Sequence, residues 1–155
     1  MKIHLKIIFA FIIALFLAAC GTSNKDSEDN SNSNGGIVEG EMKTSIEEKD
    51  SNQYTLIIQN DKTKEETLTF NSSQDYEYQI KKPDGTVAYT YSADKMFMAV
   101  VEEEVLKPGE RLKFTLDVSE AFPYLEAGDY TLEAWVTADG IDDKKVSVDF
   151  AYNGT

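Results

Sequence analysis

Histidine and cysteine are almost missing from this chain: it has one of each, His4 and Cys20, both within the first twenty residues. Everything after Cys20 is without imidazole or thiol. That excludes Ser-His-Asp and Cys-His nucleophilic catalysis there, because no side chain can supply the base or the thiolate. Zinc sites built on His or Cys are excluded as well, and a single cysteine allows no disulfide within the chain. Basic residues are scarce, 15 against 28 acidic, for a net charge of −13. Nucleic acid is therefore not expected as a partner, since its phosphates would be repelled. Long apolar runs are absent too. The only extended one, Ile7 to Leu17, has 11 residues, against the ~20 that a bilayer-spanning helix needs.

That short run has Lys2 and Lys6 ahead of it and Ala18-Ala19 behind it, the layout of a cleaved export signal. Its ending, Leu17-Ala18-Ala19-Cys20, resembles the lipobox of bacterial lipoproteins. The resemblance implies diacylglycerol on the Cys20 thiol and a cut before it, so that residues 1–19 are signal peptide. Cys20 then becomes a lipidated N-terminus held by membrane lipid on the extracytoplasmic face. Each buried methylene contributes ~0.8 kcal/mol, and one acyl chain alone binds only marginally, so two chains are what keep such a protein on its membrane. Loss of Lys2 and Lys6 takes the net charge from −13 to −15. So acidic a domain is repelled by anionic headgroups, which favours a tether that holds it away.

Residues 20–50 fit that tether. They are rich in Ser, Asn, Gly, Asp and Glu, with low-complexity Asn30-Ser31-Asn32-Ser33-Asn34-Gly35-Gly36 at the centre. Such a composition cannot bury enough surface to offset chain entropy, and a flexible linker of this length reaches on the order of 30 Å.

From residue 51 onward, apolar and polar residues alternate with the period of half-buried strands. The runs carry Leu56 and Ile58; Leu68 and Phe70; Tyr76, Tyr78 and Ile80; Val87, Tyr89 and Tyr91; Val101 to Leu106; Leu112, Phe114, Leu116 and Val118; Tyr130, Leu132, Ala134 and Val136; and Val146, Val148, Phe150 and Tyr152. Turns fall between them at Pro83-Asp84-Gly85, Lys107-Pro108-Gly109-Glu110, Ala127-Gly128 and Asp139-Gly140. All three prolines, Pro83, Pro108 and Pro123, lie outside the runs, where no ladder hydrogen bond is lost. Seven or eight short antiparallel strands over residues 51–155 predict an all-β, immunoglobulin-like sandwich. Tyr130, two residues after Gly128, is placed for a tyrosine corner, with an ordinary buried tyrosine as the alternative.

Four stretches together resemble the BsuPI domain, a family named after an intracellular proteinase inhibitor. They are Phe70-Asn71-Ser72-Ser73-Gln74-Asp75-Tyr76-Glu77-Tyr78; Asp84-Gly85 through Val87 to Tyr91-Ser92 with Lys95-Met96-Phe97; Leu106-Lys107-Pro108-Gly109-Glu110; and Ala127-Gly128-Asp129-Tyr130-Thr131-Leu132-Glu133-Ala134-Trp135. The resemblance spans about Gln53 to Ala138. It implies a β-sandwich and inhibition of a serine proteinase.

The segment Ser92 to Met98 interrupts the strand rhythm and carries Lys95, Met96, Phe97 and Met98, the candidate contact with a proteinase or other surface protein. Large apolar anchors of this kind dominate interface energies. The competing use is internal, with Phe97 plugging one end of the sandwich while Met96 and Met98 fill gaps, as these residue types commonly do. A different class of function, binding of a small ligand or glycan without inhibition, would use Tyr89, Tyr91, Tyr124 and Trp135 as a platform, though strand patterns assign most of these to the core. Calcium at Asp139, Asp142 and Asp143 lacks the spacing of a calcium loop. Glu102-Glu103-Glu104 beside Lys107 is the nearest approach to a hydrolytic pair, and a charge run at a strand end reads instead as a solvated edge. The expectation is a protein that is not an enzyme and has no metal and no cofactor.

Overall fold

The computed structural model describes residues 40–154. The expected signal peptide, Cys20 and the first part of the expected tether lie outside them. Nine strands are found among the described residues: β1 (Met42–Asp50), β2 (Gln53–Asn60), β3 (Glu66–Phe70), β4 (Tyr76–Lys81), β5 (Val87–Thr90), β6 (Glu102–Leu106), β7 (Arg111–Asp117), β8 (Gly128–Val136) and β9 (Val146–Tyr152). Short 3-10 helices occupy Tyr91–Asp94 and Val118–Tyr124. Every pairing is antiparallel. One sheet runs β1-β2-β7, a second runs β5-β4-β8-β9, and β3 and β6 form a separate two-stranded ribbon.

The alternation in the sequence explains the layering. In β8, Tyr130, Leu132, Ala134 and Val136 are buried while Thr131, Glu133 and Trp135 between them are half-exposed. The inward rows of both sheets meet in one core, with Tyr54, Leu56, Ile58 and Leu116 from the first and Tyr78, Ile80 and Leu132 from the second. Each such aliphatic side chain contributes roughly 1.5–3 kcal/mol by leaving water. Tyr78 also ties the two sheets together, since its buried hydroxyl donates to the Asp117 carbonyl at 3.0 Å. The result is the expected β-sandwich.

Three boundaries differ from the sequence reading. Met42–Asp50, expected within the tether, is strand β1, paired with β2 from Met42↔Asn60 to Asp50↔Gln53. Only Met42 and Ile46 are apolar in it, and most of its side chains are exposed. Its inward face is short, with Met42 in the core and Ile46 packed against it, so it is held mainly by its ladder with β2, which is why no alternation of apolar residues announced it. This strand brings the count to nine instead of seven or eight. Tyr91 and Val118, assigned to strand runs, open the two 3-10 helices instead.

The turns follow their residues. In Lys107-Pro108-Gly109-Glu110, the Glu110 amide donates to the Lys107 carbonyl at 3.0 Å and Gly109 has φ +80°. That is the position of a type II turn that requires φ > 0 and favours glycine. Next to it, fully buried Asn60 fastens the end of β2. Its Nδ2 donates to the carbonyls of Leu106 and Lys64, each at 2.8 Å, and its Oδ1 accepts from the Lys62 amide at 2.9 Å.

Candidate interaction segment

Between the first 3-10 helix and β6 the chain joins no strand ladder, and from Lys95, whose backbone is extended, to Met98 its side chains alternate between half-buried and exposed. Met96 is 99% exposed and Met98 72%, whereas Phe97 between them is half-buried and packs on the Tyr91 ring with centroids 6.2 Å apart. The expectation that Met96 and Met98 fill gaps is thus corrected, while Phe97 takes the inward role. A single anchoring ring turns its two neighbours outward, because successive side chains of an extended segment face opposite ways.

The backbone of this segment is fixed at both ends. The Lys95 amide donates to the Ser92 carbonyl at 3.2 Å. At the other end Ser73 grips Met98 twice: its amide donates to the Met98 carbonyl at 3.0 Å, and its Oγ accepts from the Met98 amide at 3.0 Å. Lys95 is half-buried and lies along the surface against its partners. Its Nζ lies 2.6 Å from Glu120 Oε2 and 4.4 Å above the Tyr91 ring, and the hydrogen bond to Glu120 raises its pKa above the usual lysine value. The exposed apolar surface continues through Val100 and Val101 toward β6.

β6 is bonded on one side only, to β3, in the register Phe70↔Glu102 to Glu66↔Leu106. Glu102 and Glu104 therefore stand on the same face as Phe70 and Leu68, yet remain exposed beyond the edge of the core. Asp75 lies within reach of both. Burial raises its pKa, and the charges of Glu102 and Glu104 raise it further.

A residue that the pattern gave no reason to single out lies under this region. Glu77 is outward in the strand register, opposite Trp135, yet only 8% exposed. Its carboxylate accepts from the amides of Tyr78 (2.9 Å) and Ser92 (3.2 Å) and from Gln74 Nε2 (3.1 Å). Alternation alone would leave it in solvent; the loops that cover it come from elsewhere in the chain.

The four aromatics considered as a ligand platform do not share a groove. Tyr89 is buried and Tyr91 half-buried, both in an aromatic column that includes Tyr78. Tyr124 alone is well exposed, capping Tyr89 at 5.4 Å. Trp135 belongs to the opposite face of that sheet, with Lys145 Nζ 3.9 Å above its ring. Asp139, considered for calcium, accepts from Asn71 Nδ2 at 2.7 Å. Tyr130 does form the tyrosine corner, its hydroxyl donating to the Glu126 carbonyl at 2.9 Å.

These features define an immunoglobulin-like β-sandwich that presents one exposed, backbone-anchored apolar segment. The chain belongs to the BsuPI family, described as intracellular proteinase inhibitor, whose profile matches residues 40–141. The match takes in β1, and β9 lies beyond it. The family is one of inhibitors rather than enzymes, and its description points to a proteinase as the kind of partner. No curated protein sequence matches significantly. Among solved structures, parts of several glycosidases resemble the chain, two of which serve as examples. Beta-glucuronidase 2 of Bacteroides uniformis is 18% identical over 74% of this chain and 13% of its own, with a TM-score of 0.34. A GH3 beta-glucosidase of Bifidobacterium adolescentis is 20% identical over 69% of this chain and 16% of its own, with a TM-score of 0.35. The chain thus spans a small fraction of these enzymes, and their activities are not carried over to it.

Proposed function

We propose that this protein is a membrane-anchored extracytoplasmic lipoprotein whose BsuPI domain inhibits a serine proteinase through the segment Lys95 to Met98. The observation that carries the inhibitory reading is the pairing of family membership with the presentation of Met96 and Met98. Both side chains stand in solvent on a backbone pinned at either end. An anchored segment loses little freedom when it is bound, which is the advantage of a preorganised contact. Phe97 and Lys95 have structural partners already, so they hold the segment while the methionines are offered. The anchoring reading rests on the sequence before Gly21 and extends a family described as intracellular to the outside of the cell.

Two experiments test it. The purified protein is used to retain partners from cell-surface extract and culture supernatant, and the retained fraction is assayed for proteinase activity. A stoichiometric fall in the activity of a retained proteinase supports inhibition, and it is relieved by joint replacement of Met96 and Met98 with serine. Retention of only non-proteolytic proteins removes the inhibitory reading. Separately, metabolic labelling with radioactive palmitate is expected to mark the wild-type chain and to leave a Cys20→Ala chain unlabelled. Equal labelling of both would remove the anchor.

A further inference from the structure

We propose that Glu77 is the positioning residue of the Lys95–Met98 segment, a buried clip that joins the two loops holding the segment's ends; the inference rests on the reading that this segment meets the partner. One carboxylate oxygen, Oε1, accepts from the Ser92 amide at 3.2 Å, and the Ser92 carbonyl in turn accepts from the Lys95 amide at 3.2 Å. That is the path to the first end. The other oxygen, Oε2, accepts from Gln74 Nε2 at 3.1 Å. Gln74 adjoins Ser73, whose amide and hydroxyl hold Met98. That is the path to the second end. The loop is also fixed from behind, because the Thr137 amide donates to the Asp75 carbonyl at 3.0 Å and the Thr137 hydroxyl to the Gln74 carbonyl.

The chemistry asks for a carboxylate. The groups that converge on Glu77 are all N–H donors, two from the backbone and one from a side-chain amide. A carboxylate has two oxygens that only accept, so it satisfies both loops at once, with charge-assisted bonds. Glutamine keeps one acceptor oxygen and sets an NH2 group against that of Gln74. Alanine keeps no acceptor and leaves the N–H groups without a partner. The order of effect is therefore Glu, then Gln, then Ala. Buried as it is, Glu77 does not touch a partner docked on Met96 and Met98, so any effect on binding travels through the shape of the segment.

The test uses the full-length chain in detergent, with amide hydrogen exchange measured residue by residue and inhibition of subtilisin measured on a chromogenic peptide. Glu77→Ala is expected to speed exchange at the Ser92 and Met98 amides at least tenfold, leave the amides of β2 and β8 protected, and weaken inhibition at least tenfold. Glu77→Gln is expected to fall between wild type and Glu77→Ala in both readouts, a graded rescue that loss of bulk packing would not produce. Wild-type protection at Ser92 and Met98 in Glu77→Ala would overturn the clip. Faster exchange in Glu77→Ala, with inhibition unchanged there and in Met96→Ser, would uphold the clip and overturn the contact reading on which it rests. Should Glu77→Ala fail to fold, Gln74→Ala removes the side-chain amide that donates to Glu77 Oε2 and leaves both Ser73 bonds to Met98 in place. Faster exchange at the Met98 amide, which the Gln74 side chain does not itself bond, then supports the clip, and unchanged Met98 protection overturns it.

Discussion

Asn60→Ala is the substitution whose cost can be worked out most directly. The side chain is fully buried and makes three hydrogen bonds: two donated, to the Leu106 and Lys64 carbonyls, and one accepted, from the Lys62 amide. The Leu106 bond is wholly buried, and an acceptor left unsatisfied in such a place costs about 1–3 kcal/mol. The other two are partly buried, so water replaces them in part, at roughly 0.5–1 kcal/mol each. The sum is about 2–5 kcal/mol, a large share of the ~5–15 kcal/mol by which a domain is usually stable. With a urea slope of about 2 kcal/mol/M, the midpoint of unfolding, followed by far-ultraviolet circular dichroism, falls by roughly 1–2.5 M. Asn60→Asp sharpens the test. It matches the amide in shape, but at neutral pH it turns a carboxylate toward two carbonyl oxygens, so it is expected to be worse than alanine. Folding then favours the protonated acid and raises its pKa above the ordinary ~3.9. The penalty is therefore greatest above the raised value and shrinks as pH falls through it, where the acid donates to one carbonyl. A midpoint shift below about 0.5 M for Asn60→Ala, or an aspartate no worse than alanine at pH 7, would refute this account of the β2 end.

Four further outcomes are expected. Tyr130→Phe removes only the hydroxyl bond to the Glu126 carbonyl and lowers stability by about 1 kcal/mol in urea denaturation; no change would mean that the corner is not held by that bond. Asp75→Asn removes a carboxylate whose pKa is raised by burial and by Glu102 and Glu104. The charged form is therefore the disfavoured one in the folded state, and its penalty appears as pH rises through the raised value. The variant should melt higher than wild type at pH 7 and equally at pH 3, and the opposite order would reverse that sign. Gly109→Ala forces a Cβ into φ +80° and costs roughly 1–2 kcal/mol by thermal melting, whereas an unchanged melting temperature would show that the turn relaxes. Joint replacement of Met96 and Met98 by serine should shift stability by no more than about 0.5 kcal/mol, as surface substitutions do, while abolishing inhibition; a large loss of stability would show that they pack internally.

Most of the sandwich was legible because β2, β3, β4, β7, β8 and β9 each carry an alternating row that packs inward, and period two is a signal that a single sequence contains. β1 was not, because Met42 and Ile46 are too few to make a row and its stability lies in pairing with β2. The tyrosine corner was half-legible: Gly128 and Tyr130 mark the place, but only the fold brings the hydroxyl to Glu126. The methionines show the limit of burial tendencies. Met is usually interior, yet in an unpaired extended segment Phe97 takes the inward position and its neighbours must face out. Glu77 and Asn60 were invisible for a common reason. Their burial comes from residues distant in sequence, Ser92 for the one and Leu106 for the other, and no local pattern records a loop that will arrive later.

The one-sided pairing of β6 has a consequence at high surface density. A lipoprotein tethered as proposed would share a plane with many copies of itself, each free to rotate until like edges meet. Free strand edges are where such copies zip together. An antiparallel approach of β6 to β6 would interleave Glu102, Glu103 and Glu104 of one copy with those of the next, and like charges placed opposite one another destabilise a ladder. On such a surface the acids would act as spacers, keeping neighbouring domains apart so that each methionine pair would stay open to solvent.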